Sequence, residues 1–334
     1  MSISITGGIS FSGGVGITAA PPSTPTAGWF AGGSDDSGVT STVQRITYAT
    51  DTATASVRGP LNGTRYQNAG TGNLNYGWFA GSRITVAISS VSRITYATDT
   101  DTASNRGPLS YSAYSITANG TDTYGWFAGG TDQSPSDYST VSRITYATDT
   151  GTASTRGSLS GCSYKGAAST DSTTYGWIAV GFDNPSFIGY RSIVTRITYA
   201  TDTGTSTIRG PLSLTRSGMA GTGSTSYGWF AGGFFVGPPT WEGIYYSRVD
   251  RIDYANDTAT ASVRGPLTRT NQGQAASTDG TTYGWFGGGN NFSTPAGPFS
   301  SVDRITYATD TVTATARGPL SSGRRVFAAS SGIQ

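Results

Sequence analysis

The chain has 334 residues, carries a net charge of +2 and has charged side chains at only 12 % of its positions, about half the usual ~25 %. It contains no histidine and one cysteine, Cys162, which excludes an internal disulfide, His-dependent nucleophilic catalysis and every histidine-based metal site. Its charges are spread rather than clustered, which argues against a nucleic-acid surface, and no secretory signal or run of about 18 apolar residues is visible.

Residues 1–20 differ from the rest of the chain. Their large apolar side chains all fall on odd positions, with Ser, Thr and Gly between them: Ile3, Ile5, Ile9, Phe11, Val15 and Ile17. Such alternation predicts a strand with one apolar face. The segment is either a frayed terminal tail or an arm that adds strands to a partner or to copies of itself. Residues 21–25 are rich in proline and predict a semi-rigid spacer, which suits an anchor.

Residues 26–334 are organised around one repeated stretch, Arg-Ile-Thr-Tyr-Ala-Thr-Asp-Thr, first seen at Arg45–Thr52. Its tyrosines recur at spacings of 48, 50, 53, 55 and 53 residues: Tyr48, Tyr96, Tyr146, Tyr199, Tyr254 and Tyr307. A repeat of this length indicates one supersecondary unit copied in a solenoid, a propeller or an array.

Each unit contains four short segments of strand character. An Ala/Gly-rich segment, such as 65–71, precedes a Gly-Trp-Phe-Ala-Gly-Gly segment; the repeated stretch follows, and then a strand that ends in Arg-Gly-Pro-Leu. Four strands in about 50 residues predict a propeller blade. The doubled glycine is expected where blades converge on the central axis, and the Trp and Tyr of each unit are expected to pack between blades.

The two ends of the repeat region complete each other. The first Gly-Trp segment, Gly28–Gly33, lacks the strand before it, whereas Arg325–Ser330 is such a strand without its Gly-Trp partner. We expect the two to pair and to close the ring, which removes two exposed sheet edges. The predicted fold is therefore all-β: a six-bladed β-propeller of four-stranded blades, closed by its terminal strands, with an N-terminal strand-like arm.

The repeated Asp and Arg residues have a structural and a functional interpretation. Asp51 and its equivalents are expected to form turns, since Asp readily bonds its own nearby backbone. Arg45 and its equivalents either ring a central channel and bind an anion, or pair with an Asp or a carbonyl of their own blade. The structural interpretation is favoured because an active site is normally unique. Glu242 is the only glutamate, and we predict no enzymatic activity, no cofactor and no bound metal.

Function is expected in what does not repeat. Insertions follow the Gly-Gly positions of the fourth, fifth and sixth units, at 182–191, 234–246 and 290–299, and equivalent positions would place them on one rim. Partner contact, glycan contact by ring stacking, and mutual packing of the aromatics are the three interpretations. The predicted binding residues are Phe182, Asp183, Phe187, Tyr190, Phe234, Phe235, Trp241, Glu242, Tyr245, Tyr246, Asn290, Asn291 and Phe292.

The order of these segments, found six times over residues 26–332, resembles the kelch repeat, and the resemblance implies a propeller. Here the Trp precedes the doubled glycine, whereas in kelch repeats it usually follows, and 81–82 and 180–181 lack the doublet. The repeated stretch and the opening Ile-Ser-Ile-Thr-Gly-Gly-Ile-Ser-Phe-Ser-Gly-Gly also resemble segments of structural proteins of marine cyanophages and related bacteriophages. This second resemblance implies a virion component, such as a fibre or an appendage, anchored by residues 1–20.

Taken together, these features predict a non-enzymatic tail, fibre or capsid appendage, assembled in the host cytoplasm. It would dock to other virion proteins through the arm and present the propeller to a host-surface glycan or protein, with or without self-association. No binding to nucleic acid and no membrane insertion are expected. A free lectin-like propeller would keep its binding without the arm, whereas a host-type kelch adaptor would lack the arm and usually bring a second domain.

Overall fold

The computed structural model describes residues 24–132, 137–161, 163–182, 189–238, 242–292 and 297–331. The predicted arm and the first part of the spacer lie outside the described residues. Within these ranges the chain forms six antiparallel four-stranded sheets, three short hairpins and no α-helix. The sheets are the blades of a β-propeller, which confirms the predicted all-β, six-bladed fold.

Each blade has four strands in order from the axis outward. The innermost strands are Ala328–Ser331, Ala69–Gly72, Thr117–Gly120, Ala167–Thr170, Ala220–Gly223 and Ala275–Thr278. The second strands are Ala27–Ala31, Tyr76–Arg83, Tyr124–Ala128, Tyr175–Ala179, Tyr227–Ala231 and Tyr283–Gly287. The third strands are Val43–Thr47, Ala87–Thr95, Val141–Thr145, Val194–Thr198, Val249–Asp253 and Val302–Thr306. The outer strands are Ser56–Arg58, Ser104–Arg106, Ser154–Thr155, Thr207–Arg209, Ser262–Arg264 and Thr315–Arg317.

In every blade, a 3-10 turn follows the third strand and leads into the outer strand. These turns cover Tyr48–Thr50, Tyr96–Thr98, Tyr146–Thr148, Tyr199–Thr201, Tyr254–Asn256 and Tyr307–Thr309. The chain turns at Asp51 and its equivalents, as predicted, but their carboxylates bond groups of the neighbouring blade instead of their own nearby backbone.

The innermost strands contact one another in a closed circle around the axis. Their Ala, Gly, Ser and Thr residues suit this position, because larger side chains would not fit where six strands converge. The doubled glycines lie elsewhere, at the end of the second strand in the four blades that have them, so their predicted place at the axis was wrong. In the first blade, Gly32 and Gly33 have φ values of 75° and 85°, which only glycine adopts freely.

Neighbouring blades are joined by a stacked pair of aromatic rings, as predicted. Trp29 of the first blade lies 3.7 Å, centroid to centroid, from Tyr96 of the second, and the two planes differ by 7°. The same stack occurs at every blade junction: Tyr48–Trp285, Trp78–Tyr146, Trp126–Tyr199, Trp177–Tyr254 and Trp229–Tyr307. Such pairs add about 0.5–1.5 kcal/mol each beyond the area they bury.

A buried carboxylate completes each junction, and we call this arrangement the carboxylate node. Asp99 of the second blade accepts hydrogen bonds from Trp29 Nε1 (2.8 Å) and Arg45 Nη1 (3.0 Å), and Arg58 Nε lies 3.5 Å away. Both arginines and the Trp belong to the first blade, so the expectation of an Asp in the arginine's own blade was wrong. The nodes are centred on Asp51, Asp99, Asp149, Asp202, Asp257 and Asp310.

The junction between the sixth and first blades has the same contacts as the other five. Trp285 and Arg304 of the sixth blade both donate to Asp51 of the first, at 2.8 and 3.0 Å. Within the first blade, Ala328–Ser331 pairs with Gly28–Ala31 in the register Gly28↔Ser331 to Ala31↔Ala328. The N- and C-terminal strands of the repeat region therefore share one blade, which agrees with the predicted closure.

Candidate binding site on the upper face

One end of the propeller carries the connections between the second and third strands of every blade, and we call it the upper face. In the first, fifth and sixth blades these connections contain hairpins: Ser34–Asp35 with Gly38–Val39, Phe234–Phe235 with Ile244–Tyr245, and Asn290–Asn291 with Gly297–Pro298. Isolated bridges join them to the segments that enter the innermost strands, for example Gln272 to Asn290. The connections between the second and third strands and the segments that enter the innermost strands therefore meet at the upper face.

Seven aromatic side chains of the upper face form a continuous series of ring contacts, which we call the aromatic crown. Its centroid distances run from 5.1 Å, between Phe182 and Tyr190, to 6.3 Å, between Tyr245 and Phe292. Arg83 lies 5.2 Å from the first ring of the series, and Arg325 lies 5.8 Å from the last. In order, the rings are Tyr114, Tyr164, Phe182, Tyr190, Phe234, Tyr245 and Phe292.

Six of the predicted binding residues lie in the crown or against it. The Phe235 ring packs on the Tyr190 ring, with their centroids 5.1 Å apart, although Phe235 is not itself one of the seven crown residues. The three insertions therefore share one rim, and the mutual packing of their aromatic rings helps to hold the loops. Phe292 is the most open of these side chains, at 63 % exposure. The six residues are Phe182, Tyr190, Phe234, Phe235, Tyr245 and Phe292.

Four further predicted residues lie in the fifth- and sixth-blade insertions. Asn290 is buried, and Asn291 Nδ2 donates to Thr270 Oγ1 at 2.9 Å. Glu242 is exposed in the fifth-blade insertion, and the Tyr246 N–H closes the base of that hairpin with a 2.9 Å bond to the Gly233 carbonyl. Asp183, Phe187, Trp241 and the six arm residues lie outside the described residues. The binding role of the whole set stays a prediction.

At the axis, six backbone groups form a closed circle of hydrogen bonds that sequence reasoning missed. Each member donates its N–H to the carbonyl of the equivalent residue in the preceding blade, at 2.6–3.2 Å. All six have positive φ, between 50° and 68°. We call this circle the axial ring, and its members are Gln67, Ser115, Lys165, Gly218, Gly273 and Val326.

Four of these ring residues are not glycine, which makes the ring a strained part of the backbone. A left-handed conformation costs roughly 1–2 kcal/mol per residue with a Cβ, and Val326 is β-branched, which makes it a genuine outlier. Strain of this kind tends to concentrate at functional sites. The six ring positions carry five residue types, with glycine at both 218 and 273, and no repeated side-chain pattern marks them in the sequence.

A cavity of about 300 Å³ lies at the axial ring. All six ring residues line it, together with Arg325 and, from the crown, Phe292. Six residues, one from each blade, line both this axial cavity and a channel of about 120 Å³ along the innermost strands. The volume of the axial cavity lies at the lower end of the ~300–1,000 Å³ typical of small-molecule sites.

Burial perturbs ionisable groups of the cavity and of the crown. It lowers the pKa of the Lys165 ammonium below its ordinary value, whereas it raises the pKa of the Tyr190 hydroxyl to about 12. The Lys165 Nζ lies 5.1 Å from the Tyr164 ring centroid and 5.6 Å from that of Phe234. At neutral pH the crown tyrosines are therefore neutral hydrogen-bond donors.

Two classes of site have no candidate in the described part of the chain. No group of three or more His, Cys, Asp or Glu side chains is placed there to hold a metal ion. No helix among these residues is both long and apolar enough to cross a membrane.

The comparison with solved structures supports the fold. A structure titled "Structure of YjhT" is similar to this chain with a TM-score of 0.65 and 10 % sequence identity, over 89 % of this chain and 98 % of that one. At this identity the similarity shows the propeller fold alone. No protein-family model matches the chain, and no curated protein matches it either.

Proposed function

We propose that this chain is a non-catalytic recognition protein that binds its partner through the upper face. The observation that carries the proposal is the contrast between a repeated scaffold and a varied face. The stacked aromatics and carboxylate nodes recur at all six junctions, whereas the crown spans only the third to sixth blades and the axial ring has five residue types at its six positions. A scaffold that is constant except at one end is suited to present a single specific surface.

We further propose that the protein is an appendage of a bacteriophage particle, attached to other virion proteins through residues 1–20. The alternating apolar positions of this segment and the proline-rich spacer support an anchoring arm, and the resemblance to cyanophage structural proteins supports a virion location. The propeller, with its kelch-like repeats, would then face a glycan or protein of the host surface.

A free lectin-like propeller is the second candidate. The aromatic crown favours it, because exposed rings such as Phe292 can stack on sugar faces while nearby amides bond hydroxyl groups. Six equivalent sugar sites are disfavoured, since the insertions differ in length and composition between blades. A lectin of this kind would carry one site, on the upper face.

The test is density-gradient fractionation of a producing lysate, with antibody detection of three forms of the chain. The full chain is expected to travel with particles, and a form lacking residues 1–20 is expected to stay soluble. A full-length variant with Ile3, Ile5 and Ile9 changed to Ser keeps the arm's length and removes half of its apolar face, so we expect it to stay soluble as well.

Particles that carry the protein give the second readout of the same experiment. Phe292→Ser is expected to reduce their adsorption to host cells, whereas Val57→Ser, an equally exposed apolar position on an outer strand, serves as the control. If the full chain stays soluble in the gradient, the virion assignment is wrong. If Phe292→Ser and Val57→Ser particles adsorb like the wild type, the upper face is not the recognition surface.

A further inference from the structure

We infer that the axial cavity binds a small polyhydroxylated carboxylic acid, with Lys165 and Arg325 facing its carboxylate. This inference rests on the proposed recognition role and names the chemical class of ligand that the upper face would take.

The charge of the cavity favours an anionic ligand. Lys165 and Arg325 line the cavity, and among the residues that the structure describes no Asp or Glu lines it. Neither cation has a carboxylate partner in the described ranges: Lys165 contacts two aromatic rings, and Arg325 bonds the Ser34 hydroxyl at 3.2 Å. The arginines of the carboxylate nodes, by contrast, all pair with an aspartate.

The position of Lys165 also favours an anionic ligand. It is the only lysine of the chain and stands in the axial ring, where its backbone adopts a φ of 53°. Burial of its ammonium without a counter-charge costs free energy, which is the reason that its pKa is lowered. A ligand carboxylate would supply the missing charge, since ion pairs in a partly desolvated site are strong when their hydrogen bonds are made.

Unsatisfied hydrogen-bonding atoms of the lining residues indicate a polar ligand. Asn68, Gln274 and Asn290 line the cavity and are 6 %, 4 % and 2 % exposed. Their Oδ1, Oε1 and Nδ2 atoms, respectively, have no partner in the described part of the protein. Buried polar atoms normally have partners, so these three indicate a polar occupant.

These atoms also limit what the occupant can be. The amide nitrogens of Asn68 and Gln274 already donate to the carbonyls of Ala31 and Ala231, at 3.3 and 2.7 Å. Their free oxygens therefore need donors, while the free Asn290 nitrogen needs an acceptor. Hydroxyl groups serve as both, and a carboxylate alone would leave the two amide oxygens unpaired. A hydroxylated acid of about monosaccharide size meets all of these requirements.

The experiment is titration calorimetry on the full chain with D-glucuronate and D-galacturonate, and with D-glucose and D-galactose as their neutral counterparts. We expect saturable binding of at least one uronate, with a dissociation constant of about 1 mM or tighter, and at least tenfold weaker binding of its neutral counterpart.

Three variants connect the binding to the cavity. Lys165→Gln places in the ring the same residue that Gln67 already supplies at a φ of 60°, so the fold is expected to hold while uronate binding weakens at least tenfold. Arg325→Gln should weaken it as well. Arg269→Gln removes an equal charge from an exposed arginine that does not line the cavity, and should bind uronate like the wild type.

Three results would overturn the inference: neither uronate binds, the neutral sugars bind equally well, or Lys165→Gln and Arg325→Gln bind uronate unchanged. Equal melting temperatures for the variants and the wild type exclude unfolding as the cause of a loss. Calorimetry reports on the cavity whereas particle fractionation reports on the arm, so the failure of this inference is distinguishable from the failure of the virion proposal.

Discussion

At the scale of single residues, the carboxylate node explains why the repeats are so nearly identical. One aspartate satisfies a buried Trp N–H and faces two guanidinium groups, and its own side chain is only 5–7 % exposed at the six nodes. A shorter side chain would leave these donors without an acceptor, and a neutral one would leave the guanidinium groups without a counter-charge, in a site that water barely reaches. Each of the four groups therefore has to be kept in every repeat.

Replacement of the node aspartate is expected to be severe. Asp99→Ala should lower the free energy of unfolding by about 3–5 kcal/mol, because it leaves buried cationic and N–H donors unpaired. Chemical denaturation at neutral pH measures the change. The control is Asp101→Ala, two residues further on, where the side chain is exposed and the other blades have Gly, Ala or Val. Equal stability of the two variants would show that the node contributes nothing.

At the scale of elements, the strand Ala328–Ser331 closes the first blade and also follows closely after a member of the axial ring. It is the innermost strand of the first blade, and it reaches that blade from the far end of the chain. The residue just before it in the axial ring, Val326, donates to Gly273 and accepts from Gln67. Its loss would therefore break a sheet and the ring together.

Deletion of residues 324–334 is accordingly expected to open the propeller and cause aggregation, because the edge of Ala27–Ala31 becomes available for pairing with other chains. Size-exclusion chromatography and the cooperativity of thermal unfolding report the result. Deletion of residues 332–334 alone removes none of the strand residues and is the matched control. A soluble 1–323 form that unfolds cooperatively would contradict closure through this strand.

At the scale of the whole molecule, the free energy of unfolding is approximately a sum of contributions from six similar junctions between blades. Each junction contains a tyrosine whose ring stacks on the Trp of the previous blade and whose hydroxyl is buried. Burial raises the pKa of all six hydroxyls above the ordinary value near 10. The folded chain therefore keeps protons that the unfolded chain releases.

This difference predicts cooperative alkaline unfolding. The contribution of the six tyrosines is fully present below pH 10 and is lost as pH rises above it, because the unfolded chain then binds fewer protons. Urea unfolding between pH 8 and pH 11.5 should show stability falling by up to about 1.4 kcal/mol per pH unit for each tyrosine. Tyr254→Phe removes one of the six groups and should make the fall less steep. A stability that stays level above pH 10 would contradict the prediction.

The sequence was sufficient to predict the propeller, its six blades, the closing pair of strands and the rim that carries the three insertions. Repetition makes this possible, because a contact between neighbouring units must be encoded in every copy. The residues equivalent to Trp29 and Tyr96 therefore occur six times in the sequence. The partner of Arg45 was placed in the wrong blade, because periodicity alone does not tell whether Asp51 or Asp99 lies within reach of the guanidinium.

The axial ring and its cavity follow only from the tertiary structure. Gln67, Ser115 and Lys165 are about fifty residues apart, share no residue type, and meet because six strands converge on one axis. Side-chain pattern carries no signal for a circle made of backbone hydrogen bonds, nor for the burial of Lys165 beside Tyr164. The sequence by itself therefore determined the architecture, through local contacts copied six times, whereas only the closed ring decided which unrepeated residues surround the cavity.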